Sequence, residues 1–317
     1  GMRTEPPSLS ERQFIIDSFK HGLRSDERGL GDFRQAVLVL GKQRGTAMCT
    51  IGTTKVMCAI SASITEPTKT RPTKGIVSVE VDMSPMASPA HEADRLGAKG
   101  LELTRLLEMT LRDSRCIDVE ALCIRARESV WKVRVDVRVL DDDGSLVDCS
   151  SCAAAAALAH YARPDVSVGQ ETTTIHAEYE KSLVPLSIYH MPICVTFGIS
   201  QEAKATIVDP SDRESLFIDG TLVIACNKRR EICVLHQNNH IVLTTHQITE
   251  CVNRAMSRTE DLTELVMAVI RNEEKRKNAG EEASGFETAM TASLLTCRTA
   301  HPNELIAPAI RGGGEGG

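Results

Sequence analysis

Trp131-Lys132-Val133-Arg134-Val135-Asp136-Val137-Arg138-Val139-Leu140 decides the fold class. Apolar and charged residues alternate along it, the period of a strand with one face buried and the other wet. Asp141-Asp142-Asp143-Gly144 then turns the chain. Its opening invites a calcium-loop reading, but the bidentate Glu that such a loop needs at its last position is Cys152 here, so a turn is expected. Ser150–Tyr161 follows as a predicted helix containing Ala153–Ala157, a run of small side chains that lets a helix lie close against a sheet.

Upstream, Ala36–Leu40 and Thr46–Ile60 read as strand arms around a Gly41–Gly45 turn, and Gly75–Met83 as a further strand. Glu11–His21 predicts a short helix with Phe14, Ile15, Ser18 and Phe19 on one side, followed by a charged loop at Arg24–Gly31. Glu92–Asp113 predicts a longer helix with Leu96, Leu103, Leu107 and Leu111 on one stripe. Its other side carries Arg95, Lys99, Arg105 and Arg112. Spacing alone leaves two readings of these cations, a solvated helix surface or a contact to a nucleic-acid backbone.

The second half repeats the order. Strands are predicted at Ser187–Ile199, Ala205–Val208, Thr221–Asn227, Glu231–His236 and His240–Thr244, then a helix over Gln247–Lys277 with Ile248, Val252, Met256, Leu262, Val266 and Ile270 inward. Two halves, each a run of strands closed by helices, predict a duplicated α+β fold. The boundaries expected are 1–30 for an N-terminal helix and loop, 31–185 and 186–280 for the halves, and 281–317, ending in Gly312–Gly317, for a flexible tail.

Composition narrows the class. With 317 residues, 42% hydrophobic and 25% charged, the chain has the makeup of a packed globular protein. Aromatics are only 3%, so Val, Leu, Ile, Ala and Met must build the core. No apolar run approaches the roughly 20 residues that span a bilayer, no signal-peptide pattern opens the chain, and Gly1 before Met2 reads as a tag remnant. The 11 cysteines are scattered singly through apolar segments, as reduced buried thiols are in a cytosolic or nuclear protein. Cys149-Ser150-Ser151-Cys152 is the exception, and a redox motif or half a zinc site competes there with a buried structural pair. His236 and His240 pose the same choice between a metal pair and an exposed hairpin. A net charge of −6 means that any nucleic-acid contact must come from a local basic patch. No Walker loop, dinucleotide fingerprint, zincin motif or nucleophile elbow is present, and no metal or other cofactor is expected.

Longer stretches carry a resemblance. Leu122–Ala162, Arg163–Val168, Val184-Pro-Leu-Ser-Ile-Tyr-His-Met-Pro-Ile-Cys-Val-Thr-Phe197 and Asp219-Gly-Thr-Leu-Val-Ile-Ala-Cys-Asn-Lys-Arg-Arg-Glu-Ile-Cys233 resemble the RNase PH superfamily, and within it the non-catalytic ring subunits of the eukaryotic RNA exosome. The likeness covers about residues 8–280. It implies a duplicated βαβα RNase PH-like fold with two sheet-and-helix halves. It also implies the partners: RNA, related RNase-PH-like subunits in a hetero-hexameric ring, cap subunits and an associated hydrolytic ribonuclease. The implied location is the nucleus and nucleolus, and also the cytoplasm; no membrane partner is expected.

The resemblance also lets catalysis be asked residue by residue. Active members use two Asp residues for metal-assisted phosphorolysis, in which phosphate attacks the terminal phosphodiester. The matching positions are Val184 and His190. Valine can neither bind a metal nor move a proton, and imidazole is a poor substitute for carboxylate toward a hard cation. The phosphate-binding Arg of active members matches Glu128, with Arg127 adjacent. The resemblance therefore implies no catalytic residue in this chain. For RNA it implies contact by Lys99 and Arg105, leaves Arg95 and Arg112 open, and shows a stripe thinned by Met109. Two functions compete: a structural, RNA-guiding ring subunit, and an active phosphorolytic exoribonuclease, alone or through a composite site in which this chain lends basic residues to a neighbour's groove.

Overall fold

In chain order the elements are α1 (Leu9–Lys20), β1 (Ala36–Leu40), β2 (Thr46–Ile51), β3 (Thr54–Thr65), β4 (Ile76–Met83), α2 (Ala98–Glu108), β5 (Cys123–Arg125), β6 (Ser129–Asp141), α3 (Leu146–His160), β7 (Ala162–Arg163), β8 (Val166–Val168), β9 (Thr173–Ile175) and β10 (Val184–Pro185). The second half continues with β11 (Ile193–Ser200), β12 (Ala205–Val208), α4 (Asp212–Ser215), β13 (Gly220–Cys226), β14 (Ile232–Asn238) and α5 (Thr245–Asn278), and short pieces α6 (Gly285–Thr288) and β15 (Thr296–Cys297) follow. This is a computed structural model, and it describes residues 8–89, 91, 96–169, 173–176, 181–239, 241–280, 285–288 and 296–297. The expected α+β class with two sheet-and-helix halves is what the chain adopts: β3–β4–α2–β5–β6–α3 and β11–β12–α4–β13–β14–α5 follow the same order of elements.

The first sheet has the order β15-β1-β2-β3-β6-β4, with β5 also paired to β6. All its pairings are antiparallel except β4 with β6. On β6, Trp131, Val133, Val135, Val137 and Val139 are buried, while Arg134 and Arg138 are exposed. The wet face is a charge ladder in which Arg134 pairs with Asp136 at 3.0 Å and lies 3.9 Å from Glu80 on β4. The inner face packs on α3. Ala153–Ala157 are buried all round, because α3 lies between β2 and β3 on one side and β11 and α5 on the other. Side chains larger than methyl would hold these layers apart.

The second sheet, β12-β11-β13-β14, is covered on both faces at its centre. Val195, Phe197, Leu222 and Ile224 pack with Cys251 and Ala255 of α5. Cys194, Val223 and Ala225 pack instead against Leu106 of α2. All eight residues of β11 are therefore buried, and the strand reads as a continuous apolar run. α5 opens with a capping box in which Gln247 N–H donates to Thr244 Oγ1 at 3.4 Å and Thr244 N–H to Gln247 Oε1 at 3.0 Å. Farther along, its Leu262, Leu265, Val266 and Ile270 join the core of the first sheet, so one helix seals both.

Several boundaries differ from expectation. Thr46–Ile60 is two strands, because Gly52, at φ +61°, turns the chain between β2 and β3. β11 starts at Ile193, just after Pro192, which has no N–H to give a ladder. Residues 241–244 form no strand: Ile241 caps the second core, Val242 points to solvent, and Thr244 already caps α5. α3 starts earlier than Ser150, at Leu146. α2 starts at Ala98 and ends in a π-helical turn over Met109–Asp113. Leu103, Leu107 and Leu111 are buried as expected, but Leu96 is exposed, and Leu106 adds a second buried direction. On α1, Ile15 and Phe19 are inward and Phe14 is exposed. Of residues 281–317, Phe286 lies against Gly41 and Thr296–Cys297 pair with Val37 and Ala36; the remainder of the expected tail lies outside the described residues. No helix among the described residues is long and apolar enough to cross a membrane.

Candidate functional site

The cations of α2 have different surroundings. Arg95 lies outside the described residues. Lys99 Nζ donates to Asp142 Oδ2 at 2.8 Å and to Asp212 Oδ1 at 3.3 Å. Burial alone would lower the pKa of Lys99, but the two carboxylates outweigh it and raise it. Lys99 thus ties α2 to the turn after β6 and to α4. Arg105, by contrast, is exposed and has no ion-pair partner among the described residues. Arg112 bonds Asp113 at 3.0 Å and pairs with Glu108 at 3.5 Å, and the bond to Asp113 does most to raise its pKa. The helix therefore offers one uncommitted guanidinium, flanked by cations that already hold carboxylates.

The acidic turn explains where Lys99 went. Asp142 also meets His91 Nε2 at 3.2 Å, and its Oδ1 accepts from Gly144 N–H at 3.2 Å. Asp143 takes Thr53 Oγ1 at 2.5 Å and Arg34 Nη1 at 3.4 Å. Gly144, at φ +82°, makes the turn. These carboxyls are engaged by side chains of the fold, which agrees with a turn and not with a calcium loop. The triple Asp is legible in the sequence, but its partners are not, because they come from elements remote in the chain.

At the positions that resemble catalytic ones, Val184 is half-buried on β10, which pairs with β7 in the register Val184↔Arg163. His190 stands in the segment before β11, and its Nε2 is buried without a hydrogen-bond partner. Burial pushes the His190 pKa down, Glu231 offsets this in part, and Arg229 pushes the same way as burial. The ring is therefore neutral near pH 7. It borders a cavity of about 550 Å³ shared with Tyr189, Arg229, Thr263, Glu264 and Arg271, and neither Val184 nor Glu128 lines that cavity. Glu128 is exposed and accepts from Arg125 Nη1 at 2.8 Å. Arg127 is in the left-handed region at φ +68°, and its N–H donates to Pro72 O at 2.9 Å. No group of three or more His, Cys, Asp or Glu positioned to hold a metal occurs among the described residues.

The CxxC pair is interior. Cys149 and Cys152 are buried and unpaired, and Cys149 Sγ donates to Cys49 O at 3.2 Å. Hydrogen bonding to Cys49, and then burial, raise the Cys152 thiol well above its ordinary value, so it stays protonated. His236 is 3.9 Å from Glu102, and His240 lies outside the described residues.

Residues 32–164 match the 3′ exoribonuclease family, domain 1, and residues 190–258 match domain 2 of the same family. Exosome complex component RRP45 of Danio rerio is 40% identical over 296 residues, 93% of this chain and 75% of that protein. Exosome complex component rrp45 of Schizosaccharomyces pombe is 36% identical over 88% of this chain and 95% of its own length. A chain of the Archaeoglobus fulgidus exosome with RNA bound to the active site superposes with a TM-score of 0.70 and 28% identity, over 80% of this chain and 96% of that one. With both family domains matched in order on the two halves, and relatives 36–40% identical over 88–93% of this chain, the chain belongs to the 3′ exoribonuclease, or RNase PH, family.

Proposed function

We propose that this protein is a ring subunit of a eukaryotic RNA exosome that guides RNA and performs no phosphorolysis itself. Its partners are related RNase-PH-like subunits in a hetero-hexameric ring, cap subunits, an associated hydrolytic ribonuclease, and RNA. It works in the nucleus and nucleolus, and also in the cytoplasm. The likeness to RRP45 proteins supports the ring assignment. The observation that carries the inactivity is the pair Val184 and His190, an aliphatic side chain and a neutral ring where active relatives need two carboxylates. Arg105 is the α2 cation free to meet a phosphate; Lys99 and Arg112, about half exposed, contribute charge around it, and Arg95 is a further candidate from the sequence alone.

The direct test incubates the purified chain with phosphate, Mg²⁺ or Mn²⁺, and a 3′-tailed RNA. No nucleoside diphosphate above background is expected. Release that disappears in a His190→Ala variant would overturn the reading in favour of an active exoribonuclease. A composite-site reading is favoured by one observation, the exposed, unpaired Arg105. It predicts that the chain alone is silent while Arg105→Ala slows phosphorolysis by a ring that contains an active neighbour.

A further inference from the structure

A second cationic surface lies away from α2. The β1–β2 turn, the C-terminal end of α5 and the β7–β10 segment enclose an open cleft of about 980 Å³. Lys42, Arg44 and Lys277 line it, and no described lining residue carries a carboxyl group. None of the three has an ion-pair partner among the described residues. The nearest polar contact of Lys277 Nζ is an imidazole, His160 Nε2, at 3.4 Å. The nearby Asp165 is already engaged by Lys181 at 3.1 Å. Three cations that lack a carboxylate among the described residues repel one another, and an anion between them would relieve that repulsion.

Helix electrostatics explains part of this. Lys275, Arg276 and Lys277 occupy the last turn of α5, where a cation complements the carbonyl end. That accounts for Lys277. It does not account for Lys42 and Arg44, which arrive on a different element and face the same cavity. A further sign of converging positive potential is the His160 pKa, pushed down to about 4 by burial first, then by Lys277 and Arg44. The turn that carries Lys42 and Arg44 is also held in place. Gly45, at φ +81°, sits so tightly on Tyr161 that a Cβ there would come within 2.6 Å of the ring. The Gly285 backbone lies on the Lys42 methylenes, where an added Cβ would be 2.8 Å from Lys42 Cγ. Ala162, Pro164 and Leu183 give the cleft apolar wall beside the charges.

Fixed cations beside apolar wall suit a ligand with several phosphate charges and a flat, partly apolar body. We propose that this cleft is an anion site, separate from α2, that binds the phosphates of nucleotides, supplied by a single RNA strand or by a free nucleoside diphosphate. The inference goes beyond the reading of α2 and does not depend on the silent catalytic positions.

The test uses the full chain with a fluorescent single-stranded oligoadenylate and, separately, ADP. The charge-reversed variant Lys42→Glu/Arg44→Glu/Lys277→Glu should bind oligoadenylate about tenfold or more weakly at low salt, and the slope of log affinity against log salt should flatten by about two units for three lost contacts. If circular dichroism shows that this variant is unfolded, the corresponding triple Ala variant is measured, with the same expected flattening. Lys42→Arg/Lys277→Arg should restore binding. Loss of oligoadenylate alone identifies the strand as the source, and loss of ADP alone identifies the free nucleotide; either supports the site. Unchanged binding of both overturns it, as does an equal loss in a control reversal of Lys55, Lys132 and Arg138. Capture of an acidic protein segment with no binding of oligoadenylate or ADP also overturns it. Arg105→Ala, measured in parallel, tests α2 independently, so either surface can fail without the other.

Discussion

Lys99 and Arg105 sit on one short helix and carry the same charge, yet replacing them should have opposite consequences. Lys99→Ala removes an ammonium from Asp142, a carboxyl whose side chain is 2% exposed, and leaves it to His91 and the Gly144 amide. Because Lys99 is itself half in solvent, the expected cost is only about 1 kcal/mol, read as a lower urea midpoint, with little change in RNA affinity beyond a salt-sensitive drift. Arg105→Ala should leave the midpoint alone and flatten the salt dependence of RNA binding by about 0.7 units if it meets one phosphate of a single strand. A stability loss at Arg105, or none at Lys99, would show that the roles have been exchanged.

Asp148 gives a pH prediction. It is buried on α3, its Oδ2 accepts from Thr196 N–H at 2.9 Å and its Oδ1 from Thr196 Oγ1 at 2.6 Å. Burial raises its pKa to about 7, against the hydrogen bonds from Thr196. A carboxyl with a raised folded pKa holds its proton more tightly folded than unfolded, so its contribution to stability falls as pH rises from about 4 to about 7 and is constant above. Asp209 has the opposite sign: its pKa is depressed despite burial, by Arg34, and its contribution is lost only as pH falls below the ordinary 3.8. Asp148→Asn keeps an acceptor for the amide and a donor for the hydroxyl. The urea midpoint of that variant should therefore lose the decline between pH 4 and 7, a slope of at most about 1.4 kcal/mol per unit. A slope that persists would place the proton on another group.

At the scale of elements, legibility followed the number of buried faces. β6 was legible because only one of its faces is covered, so its residues alternate. β11 is covered on both, its pattern carries no period, and its start was misplaced into the Ser187–Pro192 segment. The β2–β3 hairpin was hidden because Gly52 and Thr53 turn the chain within an unbroken run of β-forming residues. α5 was legible almost end to end because an amphipathic pattern over 34 residues has few competitors. At the site, the cations of α2 could be found from sequence, but their partners Asp142, Asp212, Glu108 and Asp113 could be assigned only from the fold. The cleft was missed because Lys42, Arg44 and Lys277 are more than 200 residues apart at the extremes and share no motif. One element should be especially intolerant. Ala155→Leu inserts a branched side chain into the closed layer around α3 and should cost about 1–3 kcal/mol in urea denaturation. Loss of less than about 0.5 kcal/mol would mean that the layers beside α3 can part.

For the whole molecule, α3 and α5 each contact both sheets, so the halves share their interior. Charged ties add to this: Arg24 is buried against Glu214, and Arg34 Nη2 donates to Asp209 Oδ1 at 2.8 Å, joining the segment before β1 to the loop after β12. Urea unfolding should accordingly be a single transition by fluorescence of Trp131 and by circular dichroism alike; two separated transitions would show halves that stand alone. In co-purification the chain should be retained by other RNase-PH-like subunits at concentrations where unrelated proteins wash away. Failure to retain any of them would remove the ring assignment while leaving the fold untouched.

The sealing of both sheets by α5 also sets a timetable during synthesis. Strands β1 to β6 of the first sheet and the alanine helix on their inner face have all been made by His160, but Leu262, Leu265, Val266 and Ile270, which close that core, emerge only after the entire second sheet. At ribosomal speed the interval is on the order of ten seconds. Through it the nascent chain presents an uncovered apolar layer, and a premature stop before Ile270 releases a product that cannot close it. Such truncated chains should be bound by chaperones and cleared by proteases, whereas a chain extending past Lys277 is released able to fold.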